Sequence, residues 1–75
     1  MGAFGIPDHI IRGLKEKYPV GCRVELISMN DPYRHLEPGT QGTVIAVDDI
    51  GTIHVDWDNG SSLGIAYGED SCKRV

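Results

Sequence analysis

Glycine and proline divide most of the chain into apolar segments that are too short to form anything but β-strands. Ten glycines and four prolines interrupt a chain of 75 residues. Apolar or alternating runs of roughly four to eight residues between turn residues are typical of strands, whereas helices need longer runs. The sequence therefore predicts an all-β domain of about five short strands, arranged as a small barrel or sandwich. The predicted strands are CRVELISM, GTVIAV, TIHVDW, SLGIAY and SCKRV.

The beginning of the chain follows a different pattern, which predicts one short amphipathic helix. In the segment PDHIIRGLKEKYP, apolar residues recur at helical spacing and charged residues fall between them. Asp8 is expected to cap the N-terminus of this helix, and Pro19 is expected to end it by disfavouring the helical conformation of the preceding residue. We therefore predict an N-terminal segment, residues 1–19, and a barrel domain, residues 20–75. The apolar face of the helix consists of Ile10, Ile11, Leu14 and Tyr18.

The length of the chain and its lack of long apolar runs limit its class. A single domain of 75 residues buries only about 60% of its unfolded surface. No apolar run reaches the roughly 20 residues that span a bilayer, and the first residues do not form a basic leader followed by an apolar stretch. We therefore expect a cytoplasmic protein that does not bind membranes. Its state is left open between a monomer and a small homo-oligomer.

Acidic residues dominate the body of the predicted domain. The net charge is -4; residues 1–24 hold four Lys or Arg against two Asp or Glu, but residues 25–72 hold one against nine. Proteins bind phosphate backbones mainly through Lys and Arg, so general binding of nucleic acids is disfavoured. A basic protein partner, or mimicry of the charge of a nucleic acid, agrees better with this distribution.

The stretch HVDWDNGSSLG predicts a hairpin whose register is decided by burial. A two-residue loop of Asn59 and Gly60 would place the apolar residues of the two strands on opposite faces. A three-residue loop that also includes Asp58 pairs Trp57 with Ser61 and joins these apolar residues on one face. Because a shift of one residue turns every side chain over, we predict the longer loop, with Gly60 left-handed in a G1 bulge.

Other glycines and acidic residues are interpreted as turn formers. Gly39 and Gly42 bound the segment GTQG, and Gly51 ends the segment DDIG, where glycine is able to take a positive φ. Asp48 and Asp49 are interpreted as solvated turn residues rather than metal ligands, because adjacent side chains at a strand end point apart.

No combination of residues predicts a metal, a cofactor or a catalytic site. His9, His35 and His54 lack the spacings that are typical of zinc ligands. Cys22 and Cys72 belong to no chelating motif; we interpret them as reduced thiols that could form a disulfide only if the first and last strands pair. No nucleophile elbow, Cys/His signature or phosphate-binding loop is present. We therefore expect a non-enzymatic protein.

Several motifs, in order along the chain, resemble a known family. The segments DPY, PGTQGTV, DDIGTIHV and WDNG are similar to those of a small bacterial and phage domain of unknown function, over most of residues 20–75. A more distant similarity extends to the substrate-recruiting domains of Mind bomb type ubiquitin ligases and to SH3-like barrels of the KOW and Tudor kind. The resemblance implies an SH3-like barrel. Because members of the closer family occur in phages and integrative elements, it also implies an accessory or host-interaction role, such as inhibition of a defence system.

The long loop 29–42 and nearby aromatic residues form the predicted binding site. In SH3-like barrels the loop after the first strand approaches the sheet, and aromatic rings there stack on a peptide. The alternative, in which Tyr33 and Trp57 only close the ends of the barrel, stays open. The predicted function is binding of a protein or peptide; the alternative is a KOW-like module for RNA or DNA, which requires clustered Lys and Arg. The predicted binding residues are Tyr33, Arg34, His35, Trp57 and Tyr67.

Overall fold

One helix precedes five strands, as the sequence predicts. A computed structural model describes residues 6–29 and 36–75. The helix and the strands follow each other in the order α1 (Asp8–Lys17), β1 (Arg23–Ser28), β2 (Gln41–Val47), β3 (Thr52–Trp57), β4 (Gly64–Ala66) and β5 (Ser71–Arg74).

The strands form one antiparallel sheet in the order β4-β3-β2-β1-β5. The last strand therefore crosses to the far side and pairs with the first, with Glu25 opposite Lys73. The two edge strands, β4 and β5, approach each other. Hydrogen-bonded pairing does not join them in the described part of the chain, so the sheet is open and the predicted closed barrel is not confirmed.

The end of β4 explains why the sheet stays open there. The Ala66 N–H donates to Asp70 Oδ2 over 3.0 Å, and the Ala66 carbonyl accepts from the N–H groups of Glu69 and Asp70. On the opposite edge, the Tyr18 hydroxyl donates to the Cys72 carbonyl over 3.4 Å. Backbone groups that would link the two edges are thus already occupied by a tight turn and by the end of the helix.

Apolar side chains on the inner face of the sheet form the core, and α1 covers part of it. Burial alternates along β1 and β3, as expected for strands with one buried face. Tyr18, which follows α1, belongs to the same cluster as the strand residues, so the helical segment and the sheet share one core. The buried hydrophobic residues are Ile11, Tyr18, Val24, Leu26, Leu36, Val44, Ile53, Val55, Trp57 and Ile65.

The helix begins one residue earlier than predicted. Pro7 occupies the N-cap position, and no side chain caps the helix; the Pro7 carbonyl accepts from the N–H groups of Ile10 and Ile11. The prediction that Asp8 caps the helix is therefore wrong, because Asp8 is itself the first helical residue. Its charge still favours the positive end of the helix dipole. The helix ends before Tyr18, as Pro19 predicts.

The predicted three-residue hairpin loop is confirmed. The Trp57 N–H donates to the Ser61 carbonyl over 2.8 Å, and the Gly60 N–H donates to the Trp57 carbonyl over 3.0 Å. Gly60 has a φ of 92°, which is the left-handed conformation that a G1 bulge requires. The same register continues along the strands, where Ile53 lies opposite Ile65.

Gly42 is a strand residue, whereas the sequence analysis interpreted it as a turn residue. It lies within β2 opposite Trp57. A Cβ at this position would lie 2.6 Å from Val55 Cγ1, 2.8 Å from the Asp56 carbonyl oxygen and 2.9 Å from Trp57 Cε3. Glycine is needed here because of this close approach. Gly39 and Gly51, by contrast, have φ values of 94° and 84° and are turn residues as predicted.

Replacing Gly42 with alanine should destabilise the fold by about 1–3 kcal/mol, because the added methyl group overpacks the core. Gly13→Ala is the matched control: no atom lies within 4 Å of a Cβ there, and alanine should stabilise the helix by roughly 0.5–1 kcal/mol. Urea unfolding measures both changes. Equal stability of the two variants would contradict the proposed contact of Gly42 with Trp57.

Gly60→Ala should cost about 1–2 kcal/mol through backbone strain alone, since no atom lies within 4 Å of a Cβ at this site. Gly60→Asn should recover part of this loss, because asparagine tolerates the left-handed conformation better than alanine. Thermal unfolding of the two variants gives the comparison. A lower melting temperature for the asparagine variant than for the alanine variant would refute the left-handed turn.

Candidate functional site

An open groove lies where the sheet is not closed, between α1 and the connection of β4 to β5. We call it the seam groove. Its volume is about 470 Å³, which is within the range of small-molecule and peptide pockets. Its lining consists of Leu14, Lys17, Tyr18, Ile53, Ile65, Tyr67, Gly68, Glu69, Asp70, Ser71 and Cys72.

The floor of the seam groove is apolar and belongs to the core. Ile53 and Ile65 face each other across β3 and β4 and are almost fully buried. Tyr18 forms part of the helical wall, and its ring is buried as well. Tyr67 differs, because it is 51% exposed and its N–H donates to the Gly51 carbonyl. An aromatic ring is therefore available to a ligand next to an apolar floor.

A rigid turn holds two acidic residues at one end of the seam groove. Gly68 takes a φ of 85°, which allows the chain to reverse directly after β4. The Asp70 carboxylate accepts the Ala66 N–H, and Glu69 is exposed at the adjacent position. Negative charge is thus fixed at this end by backbone hydrogen bonds.

Positive charge lies at the other end, near the end of the helix. Lys17 Nζ lies 5.5 Å from the centroid of the Tyr18 ring, a cation-π geometry. Burial, with smaller contributions from Cys72 and Cys22, raises the pKa of Tyr18 to about 12, and the positive charge of Arg74 opposes this increase. The phenol therefore stays protonated and continues to donate to the Cys72 carbonyl.

The two cysteines do not approach each other closely enough for a disulfide. Cys72 lies opposite Leu26, and Cys22 lies four residues before Leu26 on the same strand. At about 3.3 Å per residue, this places their Cα atoms about 13 Å apart, whereas a disulfide needs roughly 4.4–6.8 Å. Burial raises the pKa of the Cys72 thiol, although a hydrogen bond with Tyr18 and the charge of Lys17 oppose the increase.

On the outer face of the sheet, Arg23 joins β1 to the hairpin turn. Both terminal nitrogens of its guanidinium donate to the Asp58 carboxylate, and Nη1 also donates to Thr43 Oγ1 over 3.0 Å. The hydrogen bond from Arg23 lowers the pKa of Asp58. Asp58 is therefore more than a turn former, since it also receives this bidentate ion pair.

Asp48 organises the turn between β2 and β3. Its Oδ1 accepts the N–H groups of Ile50 and Thr52 over 3.1 and 2.9 Å, and its Oδ2 lies 2.7 Å from His54 Nε2. Partial desolvation would raise its pKa, but these hydrogen bonds outweigh it and lower the pKa. The interpretation of Asp48 as a solvated residue is corrected, whereas Asp49 is exposed and pairs with Lys15 over 3.2 Å.

The structure separates the predicted binding residues. Trp57 is only 2% exposed, and its Nε1 donates to the Leu63 carbonyl over 2.8 Å. Its ring is part of the core, so the prediction that it stacks on a peptide is corrected in favour of the alternative. Tyr67 lies in the seam groove. The prediction for Tyr33, Arg34 and His35 concerns residues 30–35, which lie outside the described residues.

No group of three His, Cys, Asp or Glu side chains in the described residues is arranged to hold a metal. His9 lies on the exposed side of α1, and His54 pairs with Asp48. Among residues 6–29 and 36–75, no helix has the length and apolar character needed to cross a membrane.

Sequence reasoning identified one wall of the seam groove and missed the rest. Trp57 has the same parity along β3 as Ile53 and Val55, and this spacing already indicated an inward ring. The groove itself has no local signal, because its floor and its two walls come from distant segments. It depends on where β4 ends and on which side of the sheet β5 lies.

Replacing Asp48 with asparagine should weaken the acid dependence of stability. Because the pKa of Asp48 is lowered in the fold, its contribution is present above the unfolded pKa of about 3.9 and is lost as the pH falls through the folded pKa. Near neutral pH the variant should be less stable by about 1 kcal/mol, and near pH 3 the difference should shrink.

Urea unfolding at several pH values tests this prediction, with Asp56→Asn as the control. Asp56 is an exposed carboxylate on the same strand. An Asp48→Asn variant that follows the pH dependence of the wild type throughout would contradict the role given to this carboxylate.

Comparison with known protein families places the chain. A family model described as a domain of unknown function, DUF4314, matches residues 7–75, and the chain therefore belongs to this family. The match includes α1 and all the strands. The expected membership of a family of unknown function is thereby confirmed. No curated protein and no solved structure matches the chain.

Proposed function

We propose that this DUF4314 domain is a non-enzymatic module that holds an extended segment of a protein partner in the seam groove. The observation that carries the proposal is the position of the groove: an apolar floor and an exposed tyrosine lie at the one side of the sheet where the edge strands are not paired with each other. Extended peptides bind such sites through main-chain hydrogen bonds and pockets for side chains.

The geometry of the seam groove supports a macromolecular ligand. Ile53 and Ile65 supply an apolar floor, and the half-exposed Tyr67 offers a rigid aromatic surface. Tyrosine is enriched at protein interfaces because it combines apolar area with a hydroxyl group. The groove is also open along its length, as a segment that enters and leaves requires.

The chemistry of the seam groove supports binding rather than catalysis. Its thiol, Cys72, has a raised pKa, which lowers the fraction of reactive thiolate. No histidine lines the groove, so a nucleophile there has no imidazole base next to it. Glu69 and Asp70 lie on a turn at the rim rather than in a buried pocket.

Binding of nucleic acid is the weaker alternative. It needs Lys and Arg side chains that are free to neutralise phosphates on one surface. Three of the described cations instead contact carboxylates: Lys15 pairs with Asp49, Arg23 with Asp58, and Lys73 lies 3.8 Å from Glu25.

The fold class belongs to the same proposal. We assign the domain to the SH3-like barrels, with the last seam of the barrel left open. Five short antiparallel strands and the pairing of the last strand with the first support this assignment. A role for the loop residues 30–35 in the same interaction, and a host-interaction role in a mobile element, stay predictions from the resemblance.

A photo-crosslinking amino acid, benzoyl-phenylalanine, placed at position 67 in cells of the native host should form adducts with a protein. The same group at position 45 is the matched control, because Ile45 and Tyr67 are 52% and 51% exposed but only Tyr67 lines the seam groove. Mass spectrometry of the adducts identifies the linked chain and the linked peptide.

The expected result is one protein segment that is linked from position 67 and not from position 45. Adducts with nucleic acid, equal adducts from both positions, or no adduct at position 67 would each overturn the proposed function.

A further inference from the structure

We infer that the segment held in the seam groove is dipolar: a Lys or Arg and an Asp or Glu flank an apolar residue, and the charges run opposite to those of the groove. This inference rests on the proposed function and names the chemistry of its partner. Three features of the groove carry it, namely its two oppositely charged ends, its apolar middle and the direction of β5.

The first feature is the acidic end at the β4-β5 turn. Glu69 and Asp70 precede β5 directly, and the turn is fixed by the hydrogen bonds of Ala66. Because these charges are already held in place, they attract a cationic side chain without a large loss of conformational freedom. A charged oxygen that accepts one N–H retains lone pairs for a further donor.

The second feature is the basic end at the C-terminus of α1. Lys17 lines the groove, and its charge acts on the Cys72 thiol, where it opposes the effect of burial on the pKa. Arg74, at the end of β5, acts in the same way on Tyr18. Two positive charges therefore lie near the middle and the far end of β5, where they suit a carboxylate of the partner.

The third feature is the free side of β5, which lies along the line between the two ends. The Val75 N–H donates to the Arg23 carbonyl, and Lys73 lies opposite Glu25. Hydrogen-bonded residues alternate along an antiparallel pair, so the backbone groups of Cys72 and Arg74 point away from β1. An extended segment that enters the groove can pair with them.

Charge and spacing fit one kind of occupant. From Ser71 to Arg74 the strand rises by about 10 Å, so a cation and an anion about three residues apart in the segment reach the two ends. The apolar residue between them covers Ile53 and Ile65. A uniformly basic segment, which the acidity of the whole chain favours, would place a cation beside Lys17 and Arg74 and be repelled there.

Selection from a phage library of short random peptides tests this inference. The bait is the full chain, and the comparison is the double variant Lys17→Glu, Glu69→Lys, which reverses the charges of the groove and keeps the net charge at -4. The double variant Arg12→Gln, Asp56→Asn also keeps this net charge and alters exposed residues outside the groove. Circular dichroism confirms that each variant is folded, and Tyr67→Ala identifies the peptides that need the groove.

The wild type should select peptides with a cation and an anion on either side of an apolar residue. Their affinity should fall about tenfold on the charge-reversed variant, stay within about twofold on the control, and weaken with added salt. The charge-reversed variant should select the opposite order of charges.

The outcomes separate this inference from the proposed function. Peptides that depend on Tyr67 but are purely basic, purely acidic or uncharged would overturn the dipolar inference alone, as would equal affinity for the charge-reversed variant. Failure to select any peptide that depends on Tyr67 would overturn the inference and the proposed function together.

Discussion

The contact of the Trp57 ring with the Gly42 backbone is the constraint on which the rest of the sheet depends. Trp57 faces β2 at a position where no side chain fits, and its indole N–H binds the Leu63 carbonyl on the following segment. One residue thus fixes the positions of β2, β3 and the chain that leads to β4. Because the ring fills the centre of a very small core, a shift of either neighbour would open a cavity or force an overlap.

From this fixed centre, the open side of the sheet follows from the lengths of the outer elements. β4 ends after three residues, its last backbone groups are used by a turn, and the chain then crosses to β1. The helix does not fill the space that remains, because its last turn touches the far edge only through the Tyr18 hydroxyl. An apolar floor is therefore left accessible between two charged rims.

Local features of the sequence predicted much of this architecture, and long-range features were beyond its reach. The hairpin at Asp58–Gly60 and the end of α1 at Pro19 depend on neighbouring residues, so propensity and register were sufficient to place them. The roles of Gly42 and Asp48 depend on which side chains lie opposite across a bulged pair of strands. The seam groove combines Leu14, Ile53 and Cys72, and only the three-dimensional arrangement brings these residues together.

The capped end of β4 also limits how this protein can associate with itself. An edge strand with unused backbone groups is a template on which further copies can stack into larger sheets. At β4, the turn residues occupy the groups of Ala66, so the sheet has little capacity to grow from that side. At β5, Lys73 adds a charge that repels an identical strand. The same open seam that admits a foreign segment is therefore protected against polymerisation of the domain.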